Sequence, residues 1–469
     1  MYFIYERGLT MDKGATEGHL QRGLKERHIQ LIAIGGAIGV GLFLGSSVAI
    51  KTAGPALLLS YLIGGIAIFI MMRALGEMAV ANPVSGSFGT YAYQYVSPLA
   101  GFITGWTYWF MWVVTCMAEI TAAGIYMTYW FPESPQWIWA LASLLIMTGV
   151  NLINVKAYGE IEFWFAMIKV VTILAMIFIG GAMILFGIGN NGVALGFSNL
   201  YSHGGFFPKG ILGPVMACTM VSFAYLGIEL IGVTAGEAEN PGKTIPSAID
   251  KVFWRILIFY IGALVVIMSI FPWDEIGTKG SPFVLTFERI GIRTAAGIIN
   301  FVVLTAALSS CNSGIYSNGR MLYNLALQKK APAVFQKINT SGVPVAGVLV
   351  SSAFLFIGVV LNYLLPEKVF VYVTSIATVA ALWVWTIVLV AQINFRKSLS
   401  VDEVKKLKYP MFWWPYSSYI SLAFWALVLV MLAFQEDTRI SMYVAPFWFA
   451  LLIGTYYFLG FNKSDQIKG

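Results

Sequence analysis

Charge is what this chain of 469 residues has least of. Lys, Arg, Asp and Glu make up 11% of it, against 58% hydrophobic residues, whereas a soluble globular domain carries about 25% charge. So few charges cannot cover a surface that faces water, which excludes a soluble enzyme or nucleic-acid binder and points to an integral membrane protein. Cysteine is scarce as well. Cys116, Cys218 and Cys311 all fall in apolar stretches, leaving no disulfide framework and no thiolate metal spacing. The three histidines, His19, His28 and His203, lie in flanking segments and form no ligand cluster. No metal or other cofactor is therefore expected. With no Cys–His pair and no Ser–His–Asp set inside the apolar stretches, an enzyme is not expected either. A cleavable signal pattern before the first apolar stretch is also missing.

What the chain does have is apolar runs of bilayer length. Scanning for about 20 mostly apolar residues gives roughly twelve spans, near 30–51, 56–80, 98–128, 136–156, 160–187, 210–235, 253–272, 294–325, 344–364, 369–393, 414–434 and 441–461. The reading is an all-α membrane protein: a cytoplasmic tail over 1–29, one transmembrane domain over 30–461 and a second cytoplasmic tail over 462–469. Residues 1–18 read as a disordered tail, with Met11 as an alternative start. The net charge of +7 reflects topology rather than an acidic partner. With the N-terminus placed inside, the inner segments hold 21 Lys and Arg. The outer loops hold seven: Lys51, Lys209, Lys279, Arg289, Arg293, Lys368 and Arg439. The positive-inside rule then puts both termini in the cytoplasm of a cell membrane. The basic stretch Arg22–Arg27 is read as topology signal and lipid headgroup contact. Aromatic clusters at span ends, such as Trp413-Trp414, form an interfacial belt.

Two of the spans are broken by glycine. One carries Gly35-Gly36-Ala37-Ile38-Gly39-Val40-Gly41, the other Phe223-Ala224-Tyr225-Leu226-Gly227-Ile228-Glu229. Irregular backbone survives in a bilayer only beside protein or a wet cavity. Paired interruptions five spans apart mark the substrate site of an inverted-repeat transporter, here spans 1–5 and 6–10 with 11–12 appended. The first break exposes N–H donors near Gly39, Val40 and Gly41, which suit a carboxylate. The second frees carbonyls near Phe223, Ala224 and Leu226, which suit an ammonium group, and Phe223 and Tyr225 can close the pocket. Together they form a receptor for a zwitterion, with Ala37 at its edge. The competing reading is close helix packing over small residues.

Three ionisable residues lie deep in spans: Glu119, Lys169 and Glu229. A charge at the bilayer centre costs at least ~2.5–3.5 kcal/mol, so each is a functional candidate. Lys169 is either a proton carrier or a fixed cation bonded to loosened carbonyls of the first span. Glu229 is either a proton acceptor or a brace for the broken helix. Glu119 either lines the cavity or pairs with a lysine. The eighth span places Ser309, Asn312, Ser313 and Tyr316 on or near one face, where an ion path and helix-packing hydrogen bonds explain them equally well.

Longer strings carry a resemblance. Ala53-Gly54-Pro55 running on to Leu75-Gly76-Glu77 and Pro83, Gly159 to Phe165, Ala235 to Pro241, and Asn312-Ser-Gly with Arg320-Met-Leu resemble bacterial amino acid permeases. These are members of the amino acid transporter branch of the amino acid–polyamine–organocation superfamily, and the likeness covers residues 20–460. The resemblance implies a five-plus-five inverted repeat with two added helices and proton-driven import. It places the substrate carboxylate on the amides of Gly39, Val40 and Gly41, and the ammonium on the carbonyls of Phe223, Ala224 and Leu226. Lys169 and Glu229 fall where relatives carry coupling residues. Some strings look most like proline-specific permeases, others like threonine/serine permeases. The expected function is proton symport of a neutral amino acid, proline first, then threonine, serine or alanine, by a monomer. The alternatives are an exchanger without net proton flow, a histidine or aromatic amino acid permease, and a non-transporting sensor.

Overall fold

The computed structural model describes residues 38–84, 87–153, 155–233, 240–276, 280–289 and 293–461. Among the described residues the regular structure is all helical. The first span opens with a single turn, α1 (Val40–Phe43), and continues as α2 (Gly45–Ala53). A 3-10 turn at Gly54–Ala56 then leads into α3 (Leu57–Ala81). Gly54 sits at φ +62° there, a conformation that glycine adopts without steric cost. A short helix, α4 (Ser87–Tyr95), precedes the long α5 (Pro98–Met127). Ser97 caps α5 by accepting a hydrogen bond from the Ala100 N–H, and Pro98 fills the first turn, where its missing N–H costs nothing. The first half closes with α6 (Gln136–Ile153) and α7 (Val155–Phe186).

The second half repeats this order. Its broken span is α8 (Leu212–Ala224) followed by one turn, α9 (Leu230–Val233). Next come α10 (Pro241–Arg255), a π-helical stretch over Ile256–Gly262, and α11 (Ala263–Ile270). A short helix, α12 (Pro282–Arg289), again precedes a long one, α13 (Arg293–Leu327). Then follow α14 (Val345–Leu364) and α15 (Val369–Ser398). Equivalent elements of the halves pack on one another: α2 on α8, α3 on α10, α5 on α13 and α6 on α14. That pairing is what an inverted repeat requires of two copies sharing one axis. A short helix α16 (Val401–Lys405) and two peripheral spans, α17 (Tyr416–Phe434) and α18 (Ser441–Phe458), complete the chain. The hydrogen bonds that Ser400 gives Glu403 in the capping box of α16 hold that carboxyl below the usual carboxylate range.

Among the described residues, ten helical stretches are long and apolar enough to cross a membrane. Gly45–Ala81 counts there as one although the turn at Gly54–Ala56 divides it. The broken sixth span is too short in either piece to be counted. Allowing for both recovers the twelve spans read from the sequence. The apolar windows of α5 and α13 are 83% buried, while that of α18 is 17% buried, so the third and eighth spans form the core and the twelfth faces lipid.

At one end of the bundle a polar clasp ties the halves together. The Arg396 Nε lies 3.1 Å from the Glu77 Oε1, and Gln392 also donates to Glu77. Arg73 stacks on Tyr409, 3.7 Å from the ring centre, and pairs with Asp250 at 3.4 Å.

Candidate functional site

The two broken turns meet in the middle of the bundle. At Gly39 the chain is extended, and within the described residues the helical ladder starts there, with the N–H groups of Leu42 and Phe43 bonded to the Gly39 carbonyl at 3.2 and 3.4 Å. Ala37 lies outside the described residues. In the sixth span the α-helical ladder lapses after Ala224. Tighter i to i+3 bonds replace it: Tyr225 to Ser222 at 3.2 Å, Leu226 to Phe223 at 3.1 Å, and Leu230 to Gly227 at 3.2 Å. Gly227 takes φ +94°, so the reversal in the turn requires a residue without Cβ. The Glu229 carboxylate reaches back to accept the Gly227 N–H through both oxygens, at 3.2 and 3.1 Å. That geometry matches a brace for the break.

Gly41 brings the breaks into contact. A Cβ placed on it would fall 2.5 Å from the Ala224 Cα, so only glycine allows α1 to lie on the end of α8. A narrow cavity opens beside this contact. The breaks line it with Gly39, Gly41, Phe223, Ala224 and Leu226; α5 adds Trp112, Thr115 and Glu119; α13 adds Ser310. The centre of a water-sized sphere has about 10 Å³ to move in, room for roughly one water.

Around this cavity the donors and acceptors are partly engaged. The Ala224 carbonyl accepts the Tyr260 hydroxyl at 3.0 Å, and the Phe223 carbonyl accepts the Leu226 N–H; each keeps a second lone pair. The buried Lys169 ammonium donates to the Ile38 carbonyl at 3.2 Å, which is the fixed-cation geometry. Glu119 accepts hydrogen bonds from the Ser310 hydroxyl and from the N–H of Val40, and Lys169 acts on it electrostatically. Its Oε2 is buried without a hydrogen-bond partner.

Not every residue picked from the sequence reaches the cavity. Tyr225 turns away: its hydroxyl donates to the Tyr61 carbonyl at 2.6 Å, and its ring packs with Tyr61 and Tyr260. Asn312 accepts from Asn151 at 2.8 Å and joins α13 to α6. Ser309 and Ser313 are buried but do not line the cavity; their neighbour Ser310 does. Trp112 and Thr115 were not picked out by the sequence, although a signal was there: with Glu119 they recur at spacings of three and four, one stripe on one helix.

Comparisons with known proteins agree with this architecture. The amino acid permease family profile matches residues 28–468. The chain is 60% identical over 446 residues to the uncharacterized amino acid permease YtnA of Bacillus subtilis, covering 95% of this chain and 96% of the relative. It is 51% identical over 447 residues, with the same coverage, to the probable threonine/serine transporter YbxG of that organism. It is also 48% identical over 445 residues to its amino-acid permease AapA, again with 95% and 96% covered. The chain belongs to the amino acid permease family of multi-span membrane transporters.

Proposed function

We propose that the protein is a proton-coupled symporter that brings a small neutral amino acid into the cell across the cytoplasmic membrane, with both termini on the cytoplasmic side. The observation that carries this reading is the close contact of α1 with the end of α8, at Gly41 and Ala224, next to the chain breaks at Gly39 and Gly227 and beside a polar-lined cavity. Backbone N–H groups of the first turn face the carboxylate end of the substrate. The carbonyls of Phe223, Ala224 and Leu226 face its ammonium end. Thr115 and Ser310 supply hydroxyl partners beside them, which favours threonine and serine over proline and alanine. The relative named as a threonine/serine transporter supports the same order. Both turns and the whole cavity come from one chain, so a monomer suffices. Lys169, which holds the first turn through Ile38 and acts on Glu119, and Glu229, on the second turn, are the residues that take part in coupling.

The test is uptake into proteoliposomes with an empty lumen and an inwardly directed proton gradient. Labelled threonine and serine should accumulate, and a protonophore should collapse the accumulation. Uptake that appears only when the lumen is preloaded with amino acid would replace the symporter with an exchanger. Binding with no flux in either condition would make the protein a sensor.

A further inference from the structure

Glu119 occupies ground that the substrate needs. Its carboxylate takes the Val40 N–H, a donor at the first unwound turn, and an N–H carries a single hydrogen. Gly39 lets it come that close: a Cβ there would lie 2.7 Å from the Glu119 Oε1 and 3.1 Å from the Ser310 Oγ. The other carboxylate oxygen, Oε2, is buried and unpartnered, an arrangement that holds a charged carboxylate poorly and leaves one oxygen ready for a proton. Two carboxylates also cannot share a buried site a few ångströms across without one being neutralised.

We propose that Glu119 is a built-in competitor for the substrate: in the empty carrier its carboxylate holds the Val40 N–H, and it gives that donor up to the carboxylate of the incoming amino acid on taking up a proton. This rests on the amino acid site described above and adds the point at which substrate and proton meet. The proton comes from water on the entry side and goes to the Glu119 carboxylate. It returns to water on the exit side when the substrate leaves and Glu119 takes the Val40 N–H again. One proton is thus bound per substrate bound. Among the described residues, the other titratable or charged groups around Glu119 are Lys169 from α7, Cys116 and Tyr126 on its own helix, and Cys311 of α13 against Cys116. Glu229 is engaged with the Gly227 N–H.

The experiment compares L-threonine with L-threoninol, which keeps the ammonium and lacks the carboxylate, by binding to purified full-length protein between pH 5.5 and 8.5. In the wild type, threonine should bind more tightly as pH falls, by up to about tenfold per pH unit for one linked proton, while threoninol changes less than about twofold. Glu119→Gln mimics the protonated carboxyl. It should bind threonine at pH 8.5 as tightly as the wild type does at pH 5.5, with the pH dependence gone and threoninol unchanged. Glu119→Asp keeps the charge but falls short of Val40, so it should bind threonine more tightly than the wild type at pH 8.5 while keeping a pH dependence from the buried charge; it serves if the Gln variant does not fold, and wild-type affinity at pH 8.5 would count against the proposal. A Gln variant that keeps the wild-type pH dependence would overturn the proposal. Equal weakening of threonine and threoninol would do the same, because it would make Glu119 a ligand of the ammonium group. A wild type that binds no amino acid from a neutral panel would instead sink the reading of the site itself.

Discussion

Replacing Gly41 with alanine should separate the two unwound turns. The added Cβ would lie 2.5 Å from the Ala224 Cα and 3.1 Å from its Cβ. Ordinary contact begins near 3.4 Å, so the backbones must part by about 1 Å, and no flexible side chain is there to give way. Overpacking of this kind costs typically ~1–3 kcal/mol. If the whole cost falls on the closed, substrate-holding arrangement, apparent affinity drops roughly five- to 140-fold, at ~1.4 kcal/mol per factor of ten. The assay is a threonine saturation curve in proteoliposomes, alongside the melting temperature in detergent. Gly181→Ala in α7 is the control, since a Cβ there meets nothing within 4 Å. Equal affinity and melting temperature for Gly41→Ala and Gly181→Ala would refute the contact between the turns and the substrate geometry built on it.

Other substitutions probe the site from different sides. Lys169→Met removes the ammonium bonded to Ile38; gradient-driven accumulation should be lost while counterflow exchange survives, and full accumulation across the pH range would remove Lys169 from coupling. Gly227→Ala forces a side chain into φ +94°, and thermal shift should report a loss of about 1–2 kcal/mol, with an unchanged melting temperature contradicting the left-handed turn. Arg396→Leu strands the Glu77 carboxylate, whose side chain is 0% exposed; a stability loss of about 3–5 kcal/mol is expected, and the double variant Glu77→Leu/Arg396→Leu should recover most of it in the same melt.

How far the sequence reaches depends on what each signal is made of. The breaks are legible because glycines cluster at matching places in two spans; Gly39 and Gly41 sit where a Cβ would collide, Gly41 through close helix packing, and Gly227 where the backbone turns left-handed. The spans were legible from hydropathy alone. The phase of the third and eighth helices was not. Ser309, Asn312 and Ser313 look as polar as Ser310, but a helix spends polar groups on packing as well as on cavities, and the bond between Asn151 and Asn312 is invisible until α6 is known to lie against α13. Tyr225 shows the same limit: its position was found, while its direction toward Tyr61 was set by tertiary packing. For the ties of Glu229 to Gly227 and of Lys169 to Ile38 the sequence leaves two options each, because spacing along a chain does not say which loosened backbone group a buried charge will reach.

The narrowness of the central cavity has a consequence for the membrane that houses it. With room for roughly one water, the cavity beside Gly41 and Ala224 does not hold a file of waters. Hydrogen-bonded water is the cheapest conduit for stray ions, so a passage this tight offers them no chain of waters beside the contact of α1 with α8.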